Sequence, residues 1–320
     1  MESSFRFDRR AVVVGLSGLG LAPAGLARSG DRPRVDGKTS WSESIMVVYL
    51  SDDLKTGISY RICRFPDLND TWVWCNLIAE GQMYSYTAQY LPCAANHNAP
   101  TNDAAVYDAT GGLGNITRFG TSAELQKVSF LFRGGAFPGT EPHEGVGPVP
   151  VAVEGVFHPE HLHTQMQPSR YERIGRAAAK LTIAGKSYRI SGVCKQHEQT
   201  QMAPRFGPSF TYCDVWNENA SLLGLLTVRG SGGDFQVGKA SRKIARFEVA
   251  KPDASRRMAV ILADGTRLDA VAEASLAFGI PIYDQVWRGA MVAITLDGQR
   301  MVGTLNDWRA DLQPYATDLT

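Results

Sequence analysis

The feature that most constrains this chain is a two-residue repeat. Apolar, β-branched and aromatic residues recur at alternate positions through SIMVVYL, GISYRICRF, TWVWCNLIA, KVSFLFRG, SFTYCDVW, LLGLLTV, RMAVILADGT and AMVAITLDGQRMVGTLNDW. Successive side chains of a strand point to opposite faces, so this spacing predicts strands with one face turned to a core. Turn-forming residues interrupt the runs throughout. IAGKSY and LDGQRM each place a Gly where a tight hairpin needs a positive φ. Only TSAELQKV and AVAEASLAFG could be helical, and both are short. The expected fold class is mainly β, in barrels or sandwiches.

At 320 residues the pattern is long enough for two such units. Gly134–Ser169, rich in Pro, Gly and His, reads as a linker, with a boundary near residue 165 that leaves β domains at 31–165 and 166–320. Residues 1–30 read differently. Paired Arg9 and Arg10 precede a short apolar stretch rich in small residues, the pattern of a twin-arginine export signal. That stretch is shorter than the roughly 20 apolar residues a membrane span needs, so removal is expected rather than anchoring. No other run approaches a span, which makes a periplasmic or secreted protein without an integral membrane span the expectation. The net charge of +1, without a basic or acidic block, argues against nucleic-acid partners.

Cysteine usage narrows the chemistry further. There are five, with no C-x-x-C pair, so a zinc ribbon or thioredoxin-type site is not expected. If YRICRFPDLNDTWVWC forms a hairpin centred near Asn69, Cys63 and Cys75 fall opposite one another and could bridge.

The densest run of ionisable and aromatic residues is KQHEQTQMAPRFGPSFTYCDVW, Lys195 to Trp216. Its HEQTQ lacks the second His of a zinc-protease helix, since position 201 is Gln. Read as a strand, it puts His197, Gln199 and Gln201 on one face and Glu198 on the other. A hairpin through APRFGP has two competing registers. One sets His197 opposite Asp214 and Gln199 opposite Tyr212, giving an imidazole–carboxylate pair beside a phenol; the other sets Cys194 opposite Cys213 and suits a disulfide. FHPEHLH brings His158, His161 and His163 close in sequence, but Pro159 argues for an irregular loop and no full ligand set is evident, so no metal is expected. Trp72 and Trp74 alternate with other aromatics as a wall, for packing or for a lipophilic ligand. GGLGN has neither the spacing nor the Lys of a nucleotide loop, and no serine-hydrolase elbow is present, since GLSGLG in the leader has the wrong spacing.

Three segments resemble a known family. RYERIGRAAAKLTIAGKSYRISGV (Arg170–Val193), CKQHEQTQMAPRF and AMVAITLDGQRMVGTLNDW are similar to the lipocalin-like double-barrel proteins grouped with carotenoid 1,2-hydratases (hydroxyneurosporene synthases) and AttH-like proteins. Kievitone hydratase and the fungal decalin-forming Diels–Alderases are relatives of that group. His197 and Arg205 match the family's His and Arg, whereas Gln199 and Thr200 stand where it has a Trp-Gly pair. The resemblance implies two lipocalin-like (calycin) β domains and lipophilic substrates such as isoprenoids or polyketides. It also implies water addition to C=C bonds, cyclisation or isomerisation without a redox cofactor.

Together these readings lead to a cofactor-free enzyme that acts on a hydrophobic small molecule by acid–base chemistry. His197 would be the acid/base, oriented by Asp214, with Tyr212 as hydrogen-bond donor and Glu198 as a reserve acid. Arg205 and Gln199 would meet the polar part of the substrate, and Trp72, Trp74 and Trp216 its apolar part. A non-catalytic carrier of a lipophilic ligand is the alternative.

Overall fold

The computed structural model describes residues 40–319 except 100, 110–112, 123–125, 140–145, 168, 203–207 and 283–284, and of 161–167 it describes the backbone alone. The export-signal reading and Arg205 therefore lie outside the described residues. Residues 33–320 form one compact unit.

The described residues of this unit form eighteen strands and no α-helix. The first sheet holds β1 (Ser42–Leu50), β2 (Gly57–Phe65), β3 (Asp70–Ala79), β4 (Gln82–Leu91), β5 (Ala104–Ala109), β6 (Gly114–Phe119), β7 (Lys127–Pro138), β8 (Val149–Gln167), β9 (Arg170–Ile183) and β10 (Lys186–Gln201). Their order is β4-β3-β2-β1-β10-β9-β8-β7-β6-β5, and the sheet curls round until β4 meets β7 at Ser85 and Phe137. The second is a closed eight-stranded barrel of β11 (Phe210–Trp216), β12 (Ala220–Thr227), β13 (Gly230–Val237), β14 (Ala240–Val249), β15 (Ser255–Leu262), β16 (Arg267–Ile282), β17 (Gln285–Leu296) and β18 (Gln299–Trp308). The mainly β fold expected from the two-residue repeat, and the two barrels that the family resemblance implies, are what the chain adopts.

Three apolar cores follow from the alternation. Ile45, Val47, Ile62, Val73, Phe132 and Phe157 fill the first barrel; Val215, Leu222, Phe235, Phe247 and Val260 fill the second. The third core lies between the barrels, where Trp72 and Trp74 of the first sheet pack with Trp216, Phe278, Trp287 and Trp308 of the second. Every residue of β2 and β3 is buried, because one face of each strand lines the first barrel and the other lines this seam. Each large side chain buried there contributes on the order of 2–3 kcal/mol, so a few of them rival the whole stability of a typical domain.

Several local expectations change. The boundary placed near residue 165 falls inside β8, and β8, β9 and β10 all belong to the first sheet; the change of sheet comes between Gln201 and Phe210. The Pro/Gly/His-rich stretch is largely strand, β7 and β8, with Pro150 and Pro159 accommodated where the chain pairs with Gly135 and Gly175. AVAEASLAFG is part of β16, not a helix, because pairing with β15 and β17 overrides its helical composition. TSAELQKV lies partly outside the described residues and runs into β7 at Lys127.

The two short hairpins form as expected. Ala184 and Gly185, and Asp297 and Gly298, all have positive φ in two-residue turns. The hairpin near Asn69 does not have the expected register. A 3-10 turn at Pro66–Leu68 pairs Phe65 with Asp70, which sets Cys63 opposite Trp72 and Cys75 opposite Tyr60. The odd displacement flips one strand face relative to the other, so Cys75 points into the first barrel and Cys63 into the seam. All five cysteines are free.

Candidate functional site

The site grows from the alternation of β10. Its even residues Gln196, Glu198 and Thr200 and its odd residues Lys195, His197 and Gln199 leave opposite faces of the strand. The expected hairpin between β10 and β11 is absent. β10 pairs with β1 and β9, and β11 pairs with β12 and β18. Neither expected register between these strands forms: Cys194 and Cys213 are buried in different barrels, and His197 and Asp214 stand on different sheets, linked through Glu172, Tyr212 and Lys195 instead of paired.

Register assembles the first wall. One cross-strand row reads Trp74, Arg61, Met46, His197 and Glu172, across β3, β2, β1, β10 and β9. A neighbouring row reads Trp72, Cys63, Ser44, Gln199 and Arg170. From the second barrel come Tyr212, Asp214 and Trp216 of β11, alongside Asn306, Thr304 and Val302 of β18.

His197 has a carboxylate partner, but it is Glu172. Nδ1 lies 2.8 Å from Glu172 Oε1, and the Tyr212 hydroxyl lies 3.2 Å from the same oxygen and 3.4 Å from Asp214 Oδ2. Lys195 Nζ lies 2.9 Å from Glu172 Oε2 and also contacts Asp214, which ties the barrels together. Arg170 Nε is 3.1 Å from Glu172 Oε1, and its guanidinium sits over the Tyr212 ring. On the other side of the imidazole, Arg61 Nη2 is 3.5 Å from Nε2 and 2.9 Å from Ser44 Oγ, and the guanidinium lies over Trp74. Trp287 packs edge-on against Trp74 and Phe210.

Burial decides the electrostatics. The side chains of Glu172 and Lys195 are 0 % and 2 % exposed, and that of His197 is 7 % exposed. Burial pushes the imidazole pKa down to about 3, against the upward pull of Glu172 and with further lowering from Arg61 and Arg170. Burial alone would raise the Glu172 pKa, but His197, Lys195 and Arg170 hold it well below the usual carboxylate range. Burial brings the Lys195 ammonium down to about 8, against Glu172, and burial with Glu172 pushes the Tyr212 phenol up. An ionised carboxylate can only accept hydrogen bonds, so Nδ1 of neutral His197 carries the proton and Nε2 keeps a lone pair. The arrangement can take a proton at Nε2 and offer one from Tyr212 or Lys195.

The other expected residues divide between places. Tyr212, Asp214, Trp74 and Trp216 do meet His197 in this seam, with Gln199 on its half-buried rim and Trp72 in the adjoining core. Glu198 does not reach it. It lies inside the first barrel, where Arg118, Arg173 and Tyr107 bind its carboxylate at 2.9, 3.4 and 3.0 Å. His158 is exposed on β8, and the side chains of His161 and His163 lie outside the described residues. A cavity of about 520 Å³ lies on the outer wall of the second barrel, among Arg257, Asp269, Glu273, Arg300 and Asp318; its lining includes none of the seam's polar residues.

Glu172, Lys195, Arg61 and Arg170 are the site residues that sequence reasoning missed. A signal for three of them was present: Lys195 shares the odd face of β10 with His197, and Arg170 and Glu172 alternate on the strand next to it.

Comparison with known proteins fits this geometry into a fold. No family model and no curated relative matches the chain. Among solved structures, a Nitrosomonas europaea protein named as a candidate AttH shares 10 % identity at a TM-score of 0.52, over 90 % of this chain and 98 % of the other. Kievitone hydratase from Nectria haematococca shares 8 % identity at a TM-score of 0.50, over 86 % of this chain and 89 % of the other. The double-barrel fold is therefore shared with both.

Proposed function

We propose that the protein is an acid–base enzyme acting on a lipophilic small molecule, an isoprenoid, polyketide or polycycle, in the seam between its two barrels. The observation that carries this reading is the buried Glu172–His197 pair. The Tyr212–Asp214 pair of the other barrel meets the Glu172 side of the imidazole, and Nε2 on the opposite side faces Arg61, between aromatic walls. His197 Nε2 accepts the substrate proton, and Arg61 next to it stabilises negative charge that develops there. Tyr212 and Lys195 supply a proton on the Asp214 side. Trp74, Trp216 and Trp287 offer the apolar surface, and Gln199 marks the entrance. Side chains alone supply base and donor, so hydration or dehydration, isomerisation and cyclisation are within reach without a redox cofactor. A protein named as a hydratase has the same fold, which supports the reading at the level of fold. The Arg9–Arg10 pattern supports reading it as an exported protein that works in the periplasm or outside the cell.

The test is native mass spectrometry of the protein purified from the exported fraction. It is followed by turnover of any co-purified compound by wild type, His197→Ala and Asp214→Asn. Loss of a general acid–base group costs roughly 10²–10⁴ in rate, so both variants should bind the compound and convert it at least a hundred times more slowly. Variants that convert it at the wild-type rate contradict the assignment. A compound held by all three proteins and converted by none marks a carrier.

A further inference from the structure

The wall of the second barrel has a lapse in its pairing. β16 pairs with β15 from Arg267 to Glu273, but its pairing with β17 begins only at Ala272 and Ile294. Arg267–Val271 therefore have a strand neighbour on one side alone. In an antiparallel sheet alternate residues direct their N–H and C=O to opposite neighbours, so part of this stretch presents backbone groups to the side that β17 leaves. The cavity of about 520 Å³ lies at this lapse. Asp269 and Val271 of β16 line one side of it, and Thr295 of β17 and Arg300 of β18 line the other.

Alternation sorts the lining. Met258 of β15 and Ala270 of β16 belong to the apolar core of the second barrel, so the floor of the cavity is the core itself. The odd residues of β16 leave the other face, where Asp269 and Glu273 flank Val271, which is 42 % exposed. Arg257 stands opposite Val271 and Arg300 opposite Thr295, while the Ala272–Ile294 pair sets Val271 and Thr295 side by side. One guanidinium thus comes from each end of a four-strand row, roughly 14 Å across at the usual strand spacing. Arg300 gives Nη1 to Asp52 O at 2.7 Å and has further N–H groups for a partner. Asp269 is 2.9 Å from Arg267 Nε, whereas Glu273 and Asp318 make no ion pair among the described residues.

These features ask three things of a ligand. Its backbone must meet strand groups that β17 does not, its charge must be of both signs, and part of it must be apolar. A simple anion would meet three carboxylates, and a simple cation two guanidinia. An extended peptide with free ends satisfies all three, since its amides continue the ladder in the manner of strand addition. Asp269 and Glu273 each lie two residues, about 7 Å, along β16 from the level of the arginines. A peptide of two or three residues spans about 7–10 Å, so its carboxylate can reach an arginine while its ammonium reaches an acidic residue.

We infer that this cleft between β16 and β17 is a binding site for a zwitterionic dipeptide or tripeptide, held as an added strand with an apolar side chain on the Met258–Ala270 floor. The site is separate from the seam and does not depend on the acid–base reading.

Titration of the full chain with the tripeptide Ala-Leu-Ala, followed by calorimetry and by amide NMR, tests the inference. Saturable binding that moves the amide signals of Ala270, Val271 and Thr295 is expected. Acetylating and amidating the peptide's ends, or the Arg300→Gln change, should each weaken binding by about tenfold or more, the value of a hydrogen bond to a charged group. Val271→Trp, which fills the cleft from an exposed position, should abolish binding and leave the denaturation midpoint unchanged. His197→Ala should bind the tripeptide as wild type does. No saturable binding by wild type, binding that leaves those three amides unmoved, or binding that persists in Val271→Trp overturns the inference. Free leucine bound as tightly as the tripeptide also overturns it, because an added strand would then contribute nothing.

Discussion

At His197, the proposed catalysis and the stability of the fold depend on the same proton. Its folded pKa, near 3, lies below the ordinary value of 6.5, so the unfolded chain binds a proton that the folded chain refuses between those limits. This contribution to stability is present above about pH 6.5 and is lost as pH falls towards 3. Glu172, also held low, adds to the loss at the acid end. Urea unfolding followed from pH 6 to pH 4 should show stability falling, and His197→Gln should flatten the slope by up to roughly 1.4 kcal/mol per pH unit, the value of one proton. An unchanged slope would mean that the imidazole titrates normally. The rate of the proposed reaction should persist far below pH 6.5 and fall above about pH 8, where Lys195 loses its proton. Lys195→Arg should carry the alkaline fall to higher pH, because a guanidinium stays charged.

At the scale of the strand, β10 separates chemistry from scaffolding within neighbouring residues. Glu198 is fully buried among Arg118, Arg173 and Tyr107. Glu198→Gln should therefore destabilise the fold by about 3–5 kcal/mol, the cost of stranding buried partners, as read from the denaturation midpoint. His197→Ala should remove activity while leaving the fold largely intact. Free thiols belong to the same scale: alkylation of the unreduced, denatured protein should add five labels, since Cys63 and Cys75 leave opposite faces. Three labels would mean a bridge and a different register at β2–β3. What the sequence made legible here was alternation, which put His197 and Gln199 on one face and Glu198 on the other. What it concealed was pairing. A short 3-10 turn at Pro66–Leu68 shifts one hairpin, and β10 and β11 pair within different sheets, β10 with β1 and β9 and β11 with β12 and β18.

For the molecule as a whole, the seam is both core and proposed site. Trp72, Trp74, Trp216, Phe278, Trp287 and Trp308 bury their rings between the barrels, and Lys195 binds a carboxylate from each side. Neither barrel can leave the other without exposing that surface, so calorimetry should record one cooperative transition, whereas two separated transitions would show barrels that fold independently. The two-residue repeat was enough to foresee a mainly β fold in barrels or sandwiches, and the family resemblance implied the double barrel. The partnership of Glu172 with His197 was not foreseeable from spacing alone, since it depends on β9 and β10 lying side by side and on the second barrel closing over them. That partnership is tested most directly by nitrogen NMR of the His197 imidazole between pH 8 and pH 4. A neutral ring protonated at Nδ1, with Nε2 unprotonated throughout, is the expected result; a ring that takes up its second proton near pH 6.5 would contradict the buried Glu172–His197 pair as the acid–base centre of this protein.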